Sequence, residues 1–397
     1  MESIAVPAIL DALSEEERRA LLTDPAMATL QGVFAAVRDP RKRRGLRYDL
    51  PFLLTCLVAA LLCNCNTVAA VGQWCQEHRA LLGRRYPHAR FLTPTGALYR
   101  WLLPRLSVAE VEWALAGWVR ATRAVGEREA LALDGKTVRG AAVQGPDGTR
   151  TAPHLLSVSG HQSQATLIQV RVDGKTNEIP SAQALLPYLP VRGRVVTADA
   201  LHTQTAFAQV VLDQGGDYLL CVKGNQPTLY DDIALAFADP ATCCSPTVCT
   251  TDRRRGRTEV RSLRTTTDLN GYLISIPQVG QVAELTRTVT RKGKVTVEVV
   301  FLVTSRTPAR GSPRQLLAWI RGHWSIEARH HVRDGSFSED HSRLRSGHAP
   351  QIMAAVRNLC ITLLHRTNHP EISAARRSFA YHPAQALALL LPKPRAA

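Results

Sequence analysis

Two short stretches decide how this chain folds: ALALDGK at residues 130–136 and VVTADAL at residues 195–201. In each, an apolar run of strand length closes on an aspartate, Asp134 in the first and Asp199 in the second. Such a run, bounded by turn residues, reads as a strand buried on both faces. Residues 155–159 and 165–172 read as two further strands joined around Gly160 and His161, and 180–189 as a helix. After Asp199, residues 203–212 read as a helix and 218–222 as a strand ending in Lys223, Gly224 and Asn225. Strands that alternate with helices predict an α/β sheet. Ligands of an open α/β sheet gather beyond the carboxyl ends of its strands, so Asp134 and Asp199 are candidate functional groups. Taken singly, an aspartate there serves equally as a helix cap or turn residue, and Asp134-Gly135 is a common turn pair.

Outward from this core the texture changes twice. Residues 1 to about 125 read as mostly helical, with helices over 50–63, 68–74 and 108–119. Asp49 is a plausible N-cap with Pro51 in the first turn, and Thr93-Pro94-Thr95 marks another helix start. The run LPFLLTCLVAALLC at 50–63 is shorter than the roughly 18–20 residues that cross a bilayer, so it reads as a buried core helix. Residues 258–267 and 295–304 are rich in Thr and Val with strand-like alternation. Helices return at 313–334 and 351–365, and the chain beyond about 385 reads as a frayed tail. The expected organisation is a helical N-terminal domain at 1–125, an α/β domain at 126–370 carrying a β-rich insertion at about 245–306, and a tail at 371–397.

The formal net charge of +16 points to a polyanionic partner, nucleic acid before an anionic membrane surface. The start of the chain carries acidic residues where a secretory signal has basic ones, so a cytoplasmic location is expected. The nine cysteines include no pair of CxxC knuckles, and no histidine follows Cys243, Cys244 and Cys249 at finger spacing, so no zinc site is expected there. A third acidic candidate, Glu327, closes IRGHWSIE at 320–327. Carboxylates brought together repel one another unless cations lie between them. Mg²⁺ suits such a set because it prefers oxygen ligands and keeps positions open for phosphate oxygens. His323, Glu327 and His331 share a helix face, but the HExxH order of a zinc hydrolase is absent.

Four ordered blocks carry a resemblance. LDGKTVRG (133–140), TADALHTQ (197–204), VKGNQ (222–226) and RGHWSIE (321–327) resemble the first-aspartate, second-aspartate, lysine-glycine-asparagine-glutamine and glutamate blocks of the ISAs1 family of insertion-sequence transposases, related to the H-repeat-associated proteins. DGSFSEDHSRLR (334–345) looks like the usual continuation, and residues 33–106 resemble the helical domain that accompanies the family. The resemblance spans about residues 28–366. It implies a ribonuclease-H-like core of mixed α/β class and a DDE triad of Asp134, Asp199 and Glu327 that holds two Mg²⁺ ions, for which Mn²⁺ substitutes. It also implies cleavage and strand transfer on double-stranded DNA, at the element's terminal inverted repeats and in target DNA, by a homo-oligomer. A β-rich insertion between the second and third acidic residues agrees with the Val/Thr-rich segment already noted. Two positions depart from the pattern: Arg255 stands where histidine is usual, and Gly335 where a β-branched residue is usual.

Two ions about 4 Å apart flank the scissile phosphate in such chemistry, one activating the nucleophile and the other stabilising the leaving oxygen. The expected ligation has Asp134 bridging both ions, with Asp199 and Glu327 each completing one. Expected DNA contacts are Lys136, Arg139, His202, Lys223, Asn225, Gln226, His323 and the run Arg253, Arg254, Arg255 and Arg257. Trp324 fits base stacking and core packing equally well. Two other readings stay open: a catalytically silent DNA-binding relic of a transposase, and a stand-alone metal nuclease.

Overall fold

The computed structural model describes residues 8–85, 93–146, 148–172, 178–254 and 256–390. These fall into two compact units. One comprises residues 128–134 and 178–326; the other comprises 8–127, 135–172 and 327–390. The chain passes between the units at Glu127/Arg128, at Asp134/Gly135, between the described residues 172 and 178, and at Ile326/Glu327.

The helical N-terminal stretch contains α1 (Leu50–Leu62), α2 (Val68–Glu77), α3 (Gly96–Leu102) and α4 (Val108–Ala121). The start of α1 is set by Asp49, whose side chain accepts from Phe52 N–H at 2.8 Å, with Pro51 in the first turn. Nearly every residue of α1 is buried, which explains its uniform apolarity; no helix among the described residues is long and apolar enough to cross a membrane.

The strands follow in chain order: β1 (Leu131–Thr137), β2 (His154–Gly160), β3 (Thr166–Val172), β4 (Val195–Ala198), β5 (Asp217–Val222), β6 (Val248–Arg254), β7 (Arg257–Thr266), β8 (Gln281–Arg291) and β9 (Lys294–Thr304). Between them lie α5 (Glu178–Leu185), α6 (Thr205–Asp213) and α7 (Pro227–Ala238). After them come α8 (Pro313–Gly335), α9 (Ala349–Arg366), α10 (Ile372–Tyr381) and α11 (Pro383–Leu390). The expected α/β class is therefore observed, a large mixed sheet with a helical N-terminal region.

In the first unit β1, β4 and β5 run parallel, and the sheet continues antiparallel through β9, β8 and β7 to β6. Its core joins Leu219, Leu263, Leu285 and Leu302 to Leu316, Leu317 and Ile320 at the start of α8. Burying each such side chain contributes about 1.5–3 kcal/mol. The β-rich insertion has four strands where the alternation predicted two. Its β8–β9 hairpin turns on Lys292 and Gly293, both at positive φ (49° and 79°), the two-residue geometry that suits the twist of paired strands.

In the second unit β2 and β3 form an antiparallel hairpin, and residues 135–138 run beside it through a Thr137–His154 hydrogen bond of 2.8 Å. Residues 372–390, expected as a tail, form α10 and α11 instead. Their anchor is Arg376, 1% exposed, whose guanidinium donates twice to Leu61 O (2.9 and 2.7 Å) and so satisfies a carbonyl at the end of α1. Of the residues beyond about 385 where fraying was expected, 386–390 belong to α11 and 391–397 lie outside the described residues.

Candidate active site

Parallel pairing between β1 and β4 sets Leu131 beside Val196 and Leu133 beside Ala198. Next in the chain come Asp134, still on β1, and Asp199, the first residue past the end of β4. β4 stops at Ala198 because Asp199 caps the next turn: Ala200 N–H donates to Asp199 Oδ1 at 2.7 Å. β1 was expected to end at Asp134 but runs on to Thr137. Lys223, just past β5, donates to the same Asp199 oxygen at 3.0 Å, with both side chains about half exposed. Burial pushes the Asp199 carboxyl up, but the Ala200 N–H and Lys223 outweigh it and hold the group below its ordinary value. Burial likewise lowers Lys223, and Asp199 more than offsets that. The pair therefore sits ionised, with the carboxylate open to solvent.

The surrounding polar groups hold this corner in place. Asn225 donates to Ala200 O (2.9 Å), Gln226 to Thr203 O (3.0 Å) and Thr203 to Cys221 O (2.5 Å). The amides of Asn225 and Gln226, both expected as DNA contacts, brace the loop that follows Asp199. His202 is 1% exposed and lies 3.3 Å from Glu178, and His323 is 5% exposed and lies 3.2 Å from Thr197. Burial lowers His323 to about 4, with Asp199 only partly opposing, so it is neutral at physiological pH. Both histidines, expected as DNA contacts, are buried side chains in this structure.

Glu327 is exposed and is the first residue of the second unit's share of α8. The next two turns of that helix are tightly held. Arg329 donates to Ser159 and Thr166 on β2 and β3. Arg333 and Arg357, each 1% exposed, converge on the fully buried Glu339 at 2.8 and 2.9 Å. Burial raises the Glu339 carboxyl, but the two guanidiniums reverse this and bring it down to about 2. Gln169 joins the network, accepting from Asn358 at 3.1 Å and donating to Glu112 at 3.2 Å.

Lys136, expected as a phosphate contact, pairs with Asp334 at 2.7 Å and is nearly buried. Gly140 abuts the turn of Glu339 and Asp340: a Cβ there would lie 2.7 Å from both their carbonyl oxygens. These contacts join the LDGKTVRG block to DGSFSEDHSRLR, a partnership that the order of the blocks gave no means of assigning. Gly335 has room for a larger residue, since a Cβ there would meet only His331 Nε2 at 4.0 Å.

Of the remaining expected contacts, Arg139, Arg253 and Arg254 are exposed, and Arg257 is tied to Glu259. Arg255 lies outside the described residues. Trp324 packs against the core of the first unit with the Arg287 guanidinium 5.7 Å from its ring, which favours the packing role. Among the described residues no group of three or more His, Cys, Asp or Glu side chains is gathered so as to hold a metal ion. Asp134 and Asp199, at and just past the ends of the paired segments of β1 and β4, are hard oxygen donors of the kind a hard divalent cation takes.

The mixed sheet thus carries one aspartate on β1 and another just past the end of the neighbouring parallel strand β4. The sequence model described as "Transposase DDE domain" matches residues 126–363, and that described as "DDE_Tnp_1-associated" matches residues 32–119. The chain belongs to the transposase DDE-domain family: it is a DDE transposase, a DNA-binding enzyme of transposition with the divalent-metal dependence general to that family. YbfL of Escherichia coli K12 is 27% identical over 355 residues, which cover 86% of this chain and 91% of that protein. YhhI of the same strain, whose name associates it with the H repeat, is 27% identical over 286 residues, covering 68% and 73%. The cryo-EM structure of the piggyBac transposase synaptic complex with hairpin DNA is similar at a TM-score of 0.45 and 11% identity, covering 96% of this chain and 82% of that one.

Proposed function

We propose that the chain cleaves and joins DNA strands at the ends of an insertion sequence of the ISAs1 group, with Asp134, Asp199 and Glu327 as its metal-binding triad. The observation that carries this reading is the parallel register that makes Asp134 and Asp199 neighbours, with Asp199 half exposed and held ionised. Two Mg²⁺ ions are the fitting cofactor, held by Asp134 and Asp199 together with Glu327. When bound, such ions supply an activated nucleophile at neutral pH and offset the charge that builds on the phosphate. Lys223 keeps a positive charge beside Asp199 and is placed to pass from that carboxylate to an incoming phosphate. Arg139, Arg253 and Arg254 supply exposed charge for the DNA backbone, and Arg255 and Arg257 extend that run. Residues 1–125, 126–370 and 371–397 serve as accessory domain, catalytic domain and C-terminal segment; the gap between the two matched models, residues 120–125, supports the first boundary. The partners are the element's terminal repeats, the target DNA and a second copy of the chain, in the cytoplasm of a prokaryote.

The test is a cleavage assay on labelled DNA carrying the ends that flank the gene, with Mg²⁺ or EDTA, beside Glu327→Gln. Metal-dependent nicking at the end, lost in the variant, is expected. Binding without nicking under either Mg²⁺ or Mn²⁺ would move the assignment to a silent DNA-binding relic, and nicking without strand joining to a simple nuclease.

A further inference from the structure

The four-stranded arm of the first unit has two unlike faces. Cross-strand register places Val295, Val297 and Val299 of β9 beside Thr290, Thr288 and Thr286 of β8, and these beside Thr258, Val260 and Ser262 of β7. Over these positions the face is free of charge across three strands; one register step further the same face carries the Arg264–Glu284 pair. The three valines are 57%, 60% and 42% exposed. The opposite face is a lattice of ion pairs, among them Arg287 with Glu298 and Glu259, and Arg261 with Glu259 and Asp252.

Among the described residues the arm has two edges with no strand beside them, the outer side of β6 and residues 294–300 of β9. β9 pairs with β8 along its whole length, but its pairing with β5 covers only Phe301 to Thr304 and ends at Val222. Residues 294–299 are all exposed. A straight, exposed, unpaired edge is a template for another strand. Nothing on its apolar face blunts it: the row of valines includes no proline and no inward-pointing charge.

We propose that this edge pairs with the same edge of a second copy, antiparallel about a two-fold axis at Thr296, to form one continuous sheet. A two-fold contact requires a self-complementary patch, and the sequence of the edge meets that condition. Centred on Thr296, Lys294 faces Glu298 of the partner subunit, and Glu298 faces Lys294 of the partner subunit. Val295 faces Val297 of the partner subunit on the other side of the sheet. A shift of the axis to Val297 keeps the valines together but sets Lys294 against Val300 and loses both charge pairs. The register is thus specified by charge and the adhesion by the valines, the usual division of labour in cross-strand pairs. Glu298 already meets Arg287 at 3.0 Å, yet 54% of its side chain remains exposed for a second partner. This edge supplies the contact for the second copy of the chain, and so rests on the proposed transposase assembly. It does not depend on the triad, because mass and cleavage are read separately.

The test is sedimentation of the full chain without DNA over a range of concentrations, for the natural sequence, Lys294→Glu, Glu298→Lys, and an equimolar mixture of the two variants. Each variant alone opposes like charges twice across the axis and is expected to dissociate about tenfold more readily. In the mixture every Glu meets a Lys again, so heterodimers form with an affinity within a few-fold of the natural dimer. Restoration on mixing cannot come from a misfolded variant, which keeps the test sharp. A natural chain that stays monomeric at all concentrations, or a dimer indifferent to both reversals, overturns the proposal. So does loss of DNA binding in the variants with mass unchanged, which would make the edge a nucleic-acid contact.

Discussion

Glu339→Gln removes one negative charge from a site where two guanidiniums depend on it. Glu339 is fully buried, and Arg333 and Arg357 meet it at 2.8 and 2.9 Å with 1% of each arginine side chain exposed. Glutamine keeps the shape and one acceptor oxygen but leaves both cations without their counter-charge. Removing one partner of a buried pair costs about 3–5 kcal/mol. The titration gives a second route to the size. A carboxyl held at about 2 against an ordinary 4.5 is worth about 3 kcal/mol of stability at neutral pH. Because the folded value is the lower one, that stability is fully present above about pH 4.5 and drains away as pH falls toward 2.

The expected result at pH 7 is a fall of about 10 °C in the melting transition of the second unit. The gap between variant and natural protein should narrow steadily below pH 4.5. Cleavage should fall further than DNA binding, since Arg333, which donates to Gln169 and Glu339, lies on the same helix as Glu327. The assay is a thermal melt followed at several pH values, with Arg321→Gln as control, an exposed pair with Asp252 worth under about 1 kcal/mol. A Gln variant that melts within about 3 °C of the natural protein, or a gap unchanged at pH 3, would refute this account of the network.

Asp134→Asn, Asp199→Asn and Glu327→Gln should each abolish strand cleavage while leaving DNA affinity within a few-fold; cleavage surviving any one of them removes that residue from the triad. Gly140→Ala should destabilise the second unit by more than about 2 kcal/mol, because its Cβ must displace backbone carbonyls of a buried turn; an unchanged urea midpoint counts against that packing. Lys223→Met should change stability by under about 1 kcal/mol, since the pair is half exposed, but should weaken DNA binding measurably; an unchanged dissociation constant takes Lys223 off the phosphate path. DNA binding overall should fall steeply with salt through counterion release, and a flat response would argue against backbone contacts.

Much of this protein was legible as a string of residues. Asp49 and Pro51 announced the start of α1, whose uniform apolarity announced its burial. The apolar runs ending near Asp134, Asp199 and Lys223 announced three strands, because local composition is enough where a strand is buried on both faces. β6 and β8 escaped the reading because their alternating positions carry Arg, Asp, Glu and Thr, whose role depends on which face a neighbour covers. α10 and α11 escaped it because what orders them is distant: Arg376 against the end of α1, more than 300 residues earlier in the chain. The candidate site divides in the same way. Acidic residues at strand ends can be marked from sequence, and the ordered blocks point to their chemistry. Only the parallel register of β1 and β4 makes Asp134 and Asp199 neighbours, since pairing is a long-range choice that no local pattern encodes. Only the tertiary structure turns His202 and His323 inward, commits Lys136 to Asp334 and gives Glu339 its two buried arginines. A polar side chain reads the same in sequence whether it faces solvent, DNA or a counter-charge, and the packing around it decides which.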